Sequence, residues 1–117
     1  MSAASSRSNP LKLNPLQLKT LTLLQELARL DGHSQPGEEP GSRIVFNLPH
    51  PHGNHFHLCD AVVVSRDATG LFNEAPWVVL ERKGLIRSHY PVGAEVTAAG
   101  MGYDTGLRDS ILHRADH

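Results

Sequence analysis

Four histidines lie within eight residues, at positions 50, 52, 55 and 57, and the chain's only cysteine, Cys59, follows them. Neutral imidazole and thiolate are ligands that zinc takes in tetrahedral protein sites. In an extended segment alternate side chains project from one face, so His55, His57 and Cys59 would point the same way. His50 could complete a set of four. Other candidate ligands are Asp60, His89, His113 and His117. The spacing is therefore compatible with a site for zinc or nickel.

The same histidine-rich segment also fits a polar turn that holds no metal. Pro49, Pro51 and Gly53 are residues that shape turns. The sequence lacks the paired spacing of a zinc finger and the His-Glu-x-x-His helix of metalloproteases. A histidine-rich tract is by itself only a compositional signal. We therefore predict no cofactor, with zinc or nickel binding in this segment as the alternative.

Nucleophilic catalysis has weaker support in the sequence. Cys59 has histidines nearby, but a reactive thiolate needs an electropositive and partly exposed setting. The run Ser65-Arg66-Asp67 has no flanking glycines of a nucleophile elbow. No glycine-rich phosphate loop is present. The 117 residues are enough for one domain with a modest core. We predict that the chain is not an enzyme.

Charge and composition indicate a cytoplasmic protein without a strong basic field. Lysine and arginine number 11 and aspartate and glutamate 12, for a net charge of -1. A neutral chain can bind nucleic acid only through a local patch. The start MSAASSRSNP has no apolar run of the kind that a signal peptide needs. No segment is apolar enough for a membrane helix, so we predict no membrane partner.

The first element that these patterns predict is a helix in LNPLQLKTLTLLQELARLDG. Asn14 is a good N-cap, Pro15 suits the first helical position, and Gln17 completes a capping box. Leucines then recur at helical spacing up to Asp31-Gly32, where we place the end of the helix. The serine-rich residues 1–12 are predicted to be a disordered tail, and residues 13–117 a single domain.

Two further segments precede the next helix. The run RIVFNLP alternates, and we predict a strand that buries Ile44, Phe46 and Leu48 and exposes the residues between them. The acidic pair Glu38-Glu39 in the loop before it is predicted to be simply solvated. Residues 57–65 contain three consecutive valines and fit either a strand or a short helix, because periodicity does not distinguish the two.

The stretch NEAPWVVLERKGLIR predicts a helix followed by a strand. Asn73 can cap this helix, and Trp77 and Leu80 share one face, which we expect to pack on the first helix. Gly84 suits the left-handed residue after the helix, and strands around Ile86 and Val96 should follow. Thr97 can cap a last helical segment, in which one face would carry three residues: Tyr103, Leu107 and Ile111.

The run LERKGLIR, then a turn, then VTAAG resembles part of the winged helix-turn-helix family. In that family the corresponding segments are the end of the recognition helix, the wing and the start of the next helix. The resemblance is strongest over residues 73–102. It implies an α+β fold in which helices pack on a small antiparallel sheet. The family has a second helix between residues 58 and 72, where this chain carries the valines and the segment SRDATGLF.

The resemblance implies that the exposed face of the helix from Asn73 to Lys83 reads the major groove of duplex DNA. Asn73 would be among the residues that contact DNA, Arg82, Lys83 and Arg87 would contact phosphates, and Arg66 could join them. An alternative is that these charges form a solvated face with salt bridges to nearby glutamates such as the one at position 81. A near-neutral domain would gain affinity as a homodimer.

We therefore predict an interaction module that binds DNA and serves transcription regulation. Winged helices also bind proteins, so a protein partner stays open. The alternative from another class is a metal-binding or metal-sensing protein that uses residues 50–60, and a third is a domain that holds a small ligand between helix and sheet.

Overall fold

The computed structural model describes residues 9–49, 55–58 and 61–114, and the backbone alone at 55–58, 61, 113 and 114. Its helices are α1 (Pro15–Ala28), α2 (Glu74–Arg82), α3 (Ala98–Gly102) and α4 (Arg108–Ile111). Its strands are β1 (Ser34–Pro36), β2 (Arg43–Val45), β3 (His55–Leu58), β4 (Ala61–Val64), β5 (Ile86–His89), β6 (Gly93–Val96) and β7 (His113–Arg114). Two short 3-10 segments, Ser65–Asp67 and Thr69–Phe72, join β4 to α2.

The strands form two antiparallel sheets. The larger has four strands in the order β1-β2-β6-β5, and the smaller has three in the order β3-β4-β7. Within the larger sheet Ile44 lies opposite Glu95, and Ile86 lies opposite Val96. Helices α1 and α2 pack against each other and on this sheet. The fold is α+β, with helices packed on a small antiparallel sheet, as the sequence predicts.

Helix α1 begins as its sequence predicts and ends earlier. The Asn14 side chain accepts a hydrogen bond from the Gln17 backbone, and the Gln17 side chain accepts one from the Asn14 backbone. The predicted end at Asp31-Gly32 is wrong, because the last helical residue is Ala28. The Ala28 carbonyl accepts bonds from Ser34 Oγ and Arg43 Nε, at 2.7 and 2.9 Å. Side chains from the sheet therefore satisfy the helix end.

Residues of α1 and α2 share one buried cluster. Leu23, Leu27, Trp77 and Leu80 are each 0–1% exposed, which confirms the predicted contact between the two helices. The indole of Trp77 donates a 2.7 Å hydrogen bond to the Gly70 carbonyl in the 3-10 segment. This bond satisfies the one polar atom of the largest core side chain.

The predicted orientation of β2 is wrong. Val45 is buried, Ile44 is half-buried, and Phe46 is 48% exposed just after the strand. Alternate residues of a strand face opposite sides, and Arg43 reaches the α1 carbonyl of Ala28. The side of β2 that carries Arg43 and Val45 therefore faces α1, opposite to the side that the alternation predicts.

The segment between β3 and α2 differs from the second helix that the winged-helix resemblance implies. Ala61–Val64 is a strand, which resolves the ambiguity at residues 57–65 in favour of β structure. Val62 pairs with His57 of β3 and with His113 of β7. The described residues between 58 and 72 thus form a strand and two 3-10 turns instead of an α-helix.

The C-terminal segment is anchored on α1. Thr97 caps α3 as predicted, with its side chain accepting from the Gly100 backbone. The predicted helical face of Tyr103, Leu107 and Ile111 is wrong, because the chain leaves the helix at Tyr103 and turns at Gly106, whose φ is 73°. Hydrogen bonds of Gln25 and Thr22 in α1 to this segment fix its path.

The N-terminal residues join the same region. Residues 9–12, predicted as the end of a disordered tail, form a turn in which the Asn9 side chain bonds to both backbone groups of Leu13. The Tyr103 hydroxyl donates to Asn9 Oδ1 at 2.5 Å and accepts from the Leu11 backbone. None of the helices in the described ranges is long and apolar enough to span a bilayer.

Candidate nucleic-acid interface

Helix α2 presents a mixed polar and apolar face to solvent. Pro76, Trp77 and Leu80 are buried on its inner side. At 100° per residue, the opposite side carries Ala75, Val78 and Arg82. All three are exposed, Val78 at 42%. This outer face is the one that the winged-helix resemblance assigns to the major groove.

At the start of α2, the side-chain oxygen of the predicted contact residue Asn73 is used to cap the helix. Asn73 is exposed and caps the helix, with its Oδ1 accepting from the Ala75 backbone at 3.1 Å. A bidentate contact of asparagine with adenine needs both the carbonyl oxygen and the amide nitrogen. Because the cap occupies the oxygen, only the amide nitrogen of Asn73 is free of this bond.

The end of α2 fixes the position of two cations. The Leu85 N–H donates to the Leu80 carbonyl and the Gly84 N–H to the Glu81 carbonyl, both at 3.0 Å, which is the Schellman pattern. Gly84 has a φ of 80°, as predicted for the left-handed residue. Arg82 and Lys83 are therefore the last residues before the chain turns into β5, and both are exposed.

Ion pairing divides the cations of the described chain into two groups. Five side chains lie within 4.0 Å of a carboxylate: Lys19, Arg29, Arg43, Arg87 and Arg108. Across the described ranges, Lys12, Arg66, Arg82 and Lys83 have no such partner. Glu81, the proposed partner in the salt-bridge alternative, instead accepts from the Ser88 backbone. Three predicted phosphate contacts are thus unpaired.

Arg87, the fourth predicted phosphate contact, is engaged by carboxylates of the same chain. Its Nη2 lies 2.5 Å from Glu39 Oε2, and its Nη1 lies 3.6 Å from Glu95 Oε1. The prediction that the Glu38-Glu39 pair is simply solvated is therefore wrong for Glu39. Glu39 lies 48 residues from Arg87 in the sequence and Glu95 lies 8 residues from it, so the local sequence around Arg87 does not predict its contact with Glu39.

Glu95 is a buried carboxylate that the sequence analysis did not single out. It is 6% exposed and accepts hydrogen bonds from Ser42 Oγ at 2.7 Å and from the Glu38 backbone at 3.2 Å. The Ser42 bond lowers the pKa of Glu95, burial opposes this, and the Glu38 backbone bond, Arg87 and His89 lower the pKa further. The sequence offered one signal for this site: Glu95 is the only charged residue in the predicted strand around Val96, where its neighbours are small or apolar.

The predicted residues fall on two parts of the molecule. Arg82 is the last residue of α2, Asn73 and Lys83 are the N-terminal and C-terminal caps of that helix, and Arg87 lies on the next strand, β5. Arg66 instead lies in the 3-10 segment that follows β4, beside α1, where its neighbour Asp67 pairs with Lys19 at 2.9 Å. The structure thus groups four of the five residues along consecutive elements and places the fifth on another.

The predicted metal ligands lie largely outside the described structure. His50 and Cys59 are outside the described residues, and His55 and His57 are described only as backbone, opposite Val64 and Val62. Among the residues that the structure does describe, no three or more histidine, cysteine, aspartate or glutamate side chains form a group that could hold a metal. Metal binding by the histidine-rich segment stays a prediction.

An open groove of about 410 Å³ runs between the end of α2, strand β5 and the start of α3. Its residues include buried Ile86 and the ion pair of Glu39 with Arg87. The groove carries more carboxylates than cations, since Glu81 also lines it. A second open groove, of about 390 Å³, lies between α1 and the segment of residues 101–109.

A scan against models of protein families finds no match, and searches of curated proteins and of solved structures find none either. Membership of the winged-helix family therefore rests on the residues that resemble it and stays a prediction.

Proposed function

We propose that this chain is a small interaction module that binds duplex DNA through the outer face of α2 and the cations at its end, as transcription regulators do. One observation carries this proposal. Arg82 and Lys83 are exposed beside each other and have no carboxylate partner in the described chain, whereas five other cations do. Guanidinium and ammonium groups of this kind contact phosphate oxygens and set the register of a protein on DNA.

The outer face of α2 supplies few groups for reading bases. Ala75 and Val78 could contact the methyl group of thymine, and Asn73 keeps only its amide nitrogen for an acceptor on a base edge. This set can distinguish few sequences. We therefore propose a protein whose affinity comes mainly from phosphate contacts and whose sequence preference is modest.

The charge around α2 limits the expected affinity. Helix α2 contains Glu74 and Glu81 besides Arg82, so α2 and its C-terminal cap Lys83 together carry no net charge. Of the predicted phosphate contacts, only Arg66, Arg82 and Lys83 are unpaired, so they provide at most three contacts, because Arg87 is engaged by Glu39. A homodimer, which stays a prediction, would double this number.

The proposal is tested by the anisotropy of a fluorescent duplex of mixed sequence at low salt. Lys83→Glu should weaken binding about ten-fold relative to Lys12→Glu, since a lost charge-assisted contact is worth about 1.5 kcal/mol or more. Lys12 is a matched control: it is exposed and unpaired in the described chain, and it lies in the turn before α1.

Two results would contradict the proposal. Equal weakening by the two variants would mean that net charge, and not α2, determines binding. No binding by the folded unaltered protein at low salt would remove DNA as the partner and favour a protein partner for the same face.

A further inference from the structure

The loop between β1 and β2, residues 37–42, bonds to β6 and β5, the two strands that lie beyond β2 in the larger sheet. The sheet order is β1-β2-β6-β5, so Glu39 spans β6 to contact Arg87 on the edge strand β5. The backbone of Glu38 bonds to Glu95 of β6 on the way. The loop thus lies against the part of the sheet that follows α2.

Internal hydrogen bonds hold this loop in one shape. The Gly37 N–H donates to the Ser42 carbonyl, the Ser42 N–H donates to the Glu39 carbonyl, and the Glu39 N–H donates to Ser42 Oγ. The space beside Gly37 is filled, because a Cβ there would overlap Ser42 Oγ and lie 2.5 Å from Glu95 Oε2. The backbone of Glu39 is therefore fixed where its carboxylate can contact Arg87.

We propose that this loop is an autoinhibitory clamp in which Glu39 occupies the guanidinium of Arg87 and withholds it from a phosphate-bearing partner. The inference rests on the proposed function, since it concerns the cation that follows Arg82 and Lys83 on the same face. The Glu39 carboxylate neutralises the guanidinium of Arg87 and repels a phosphate that approaches the same nitrogen, so carboxylate and phosphate compete for it.

The strength of the clamp follows from its exposure. The side chains of Arg87 and Glu39 are 48% and 50% exposed, and a surface pair of this kind changes an equilibrium by at most about five-fold. Glu95 is a weaker competitor, because it lies 3.6 Å from Arg87 and its Oε2 is occupied by Ser42. Glu39 is therefore the residue whose removal should release Arg87.

The first test compares duplex binding by Glu39→Gln and Glu38→Gln. The two changes remove the same charge from adjacent exposed residues, but only Glu39 pairs with a cation within the described chain. Glu39→Gln should bind two- to five-fold more tightly than Glu38→Gln, with a salt slope steeper by about 0.9 for the added phosphate contact. The double variant Glu39→Gln/Arg87→Gln should lose this gain. Equal affinity and slope for the two single variants, or a gain that survives in the double variant, would overturn the clamp.

The second test does not depend on DNA. Inorganic phosphate is titrated into both single variants while the Nε–Hε resonance of Arg87, assigned by its loss in Arg87→Gln, is followed by NMR. The resonance should shift more in Glu39→Gln than in Glu38→Gln, and equal shifts would overturn the clamp. If no variant binds duplex, the proposed function fails, and this titration still decides whether Glu39 withholds Arg87 from phosphate.

Discussion

Individual carboxylates determine which cations of the candidate interface are free to contact phosphate. Glu95 is buried beneath the loop that carries Glu39, and together these two residues neutralise Arg87. Arg82 and Lys83 have no such neighbours within the described ranges. The local pattern at the end of α2 is enough to predict its exposed cations. It does not predict the partner of Arg87, because Glu39 lies 48 residues away in the sequence. Such a contact is set by the sheet order, which one sequence does not reveal.

The buried Glu95 should make the stability of the domain depend on pH. Its pKa is lowered in the folded state, chiefly by the Ser42 hydroxyl, so its charged form stabilises the fold above the ordinary glutamate pKa of about 4.3. This stabilisation is lost as the pH falls from there through the lower folded pKa. The free energy of unfolding in urea should therefore drop less between pH 7 and pH 3 in Glu95→Gln than in the unaltered protein.

Ser42→Ala is the companion variant for this prediction. It keeps the Glu95 carboxylate but removes the hydrogen bond that contributes most to its low pKa. It should also reduce the drop in stability between pH 7 and pH 3. An unchanged drop in both variants would show that other groups determine the acid sensitivity.

At the scale of elements, local chemistry predicted the capping residues of helices better than it predicted the end of α1 or the orientation of β2. The capping box of Asn14 and Gln17 and the left-handed Gly84 are formed by residues close in sequence, and both are as predicted. The orientation of β2 depends on which side of the sheet α1 covers, and the ambiguity at residues 57–65 depends on pairing with β3 and β7. These are contacts distant in sequence, and periodicity over three or four residues does not encode them.

The corrected orientation of β2 can be tested with two neighbouring residues. Val45→Ala should lower the free energy of unfolding by about 2 kcal/mol, because Val45 is 1% exposed and its truncation leaves a cavity beneath α1. Phe46→Ala should cost clearly less, although it removes more atoms, because Phe46 is 48% exposed. Urea unfolding at pH 7 measures both. A larger loss for Phe46→Ala would restore the orientation first predicted from the sequence.

At the scale of the whole molecule, the chain carries little net charge and holds most of its described cations in ion pairs. The net charge is -1, and the unpaired cations of the candidate interface are confined to Arg66 and the end of α2. The histidine-rich segment belongs in part to the separate β3-β4-β7 sheet, so metal binding there would not use the α2 face. DNA binding and metal binding are therefore independent hypotheses for two parts of one chain.

The salt dependence of duplex binding tests the central claim most directly. Each phosphate contact contributes about 0.9 to the negative slope of log K against log salt concentration. With Arg66, Arg82 and Lys83 as the unpaired cations among the predicted contacts, the monomer should give a slope no steeper than about -2.7. The slope should become shallower by about 0.9 in Lys83→Glu and stay unchanged in Lys12→Glu. A slope near zero, or one that Lys83→Glu and Lys12→Glu reduce equally, would contradict the assignment of α2 as the DNA-binding element.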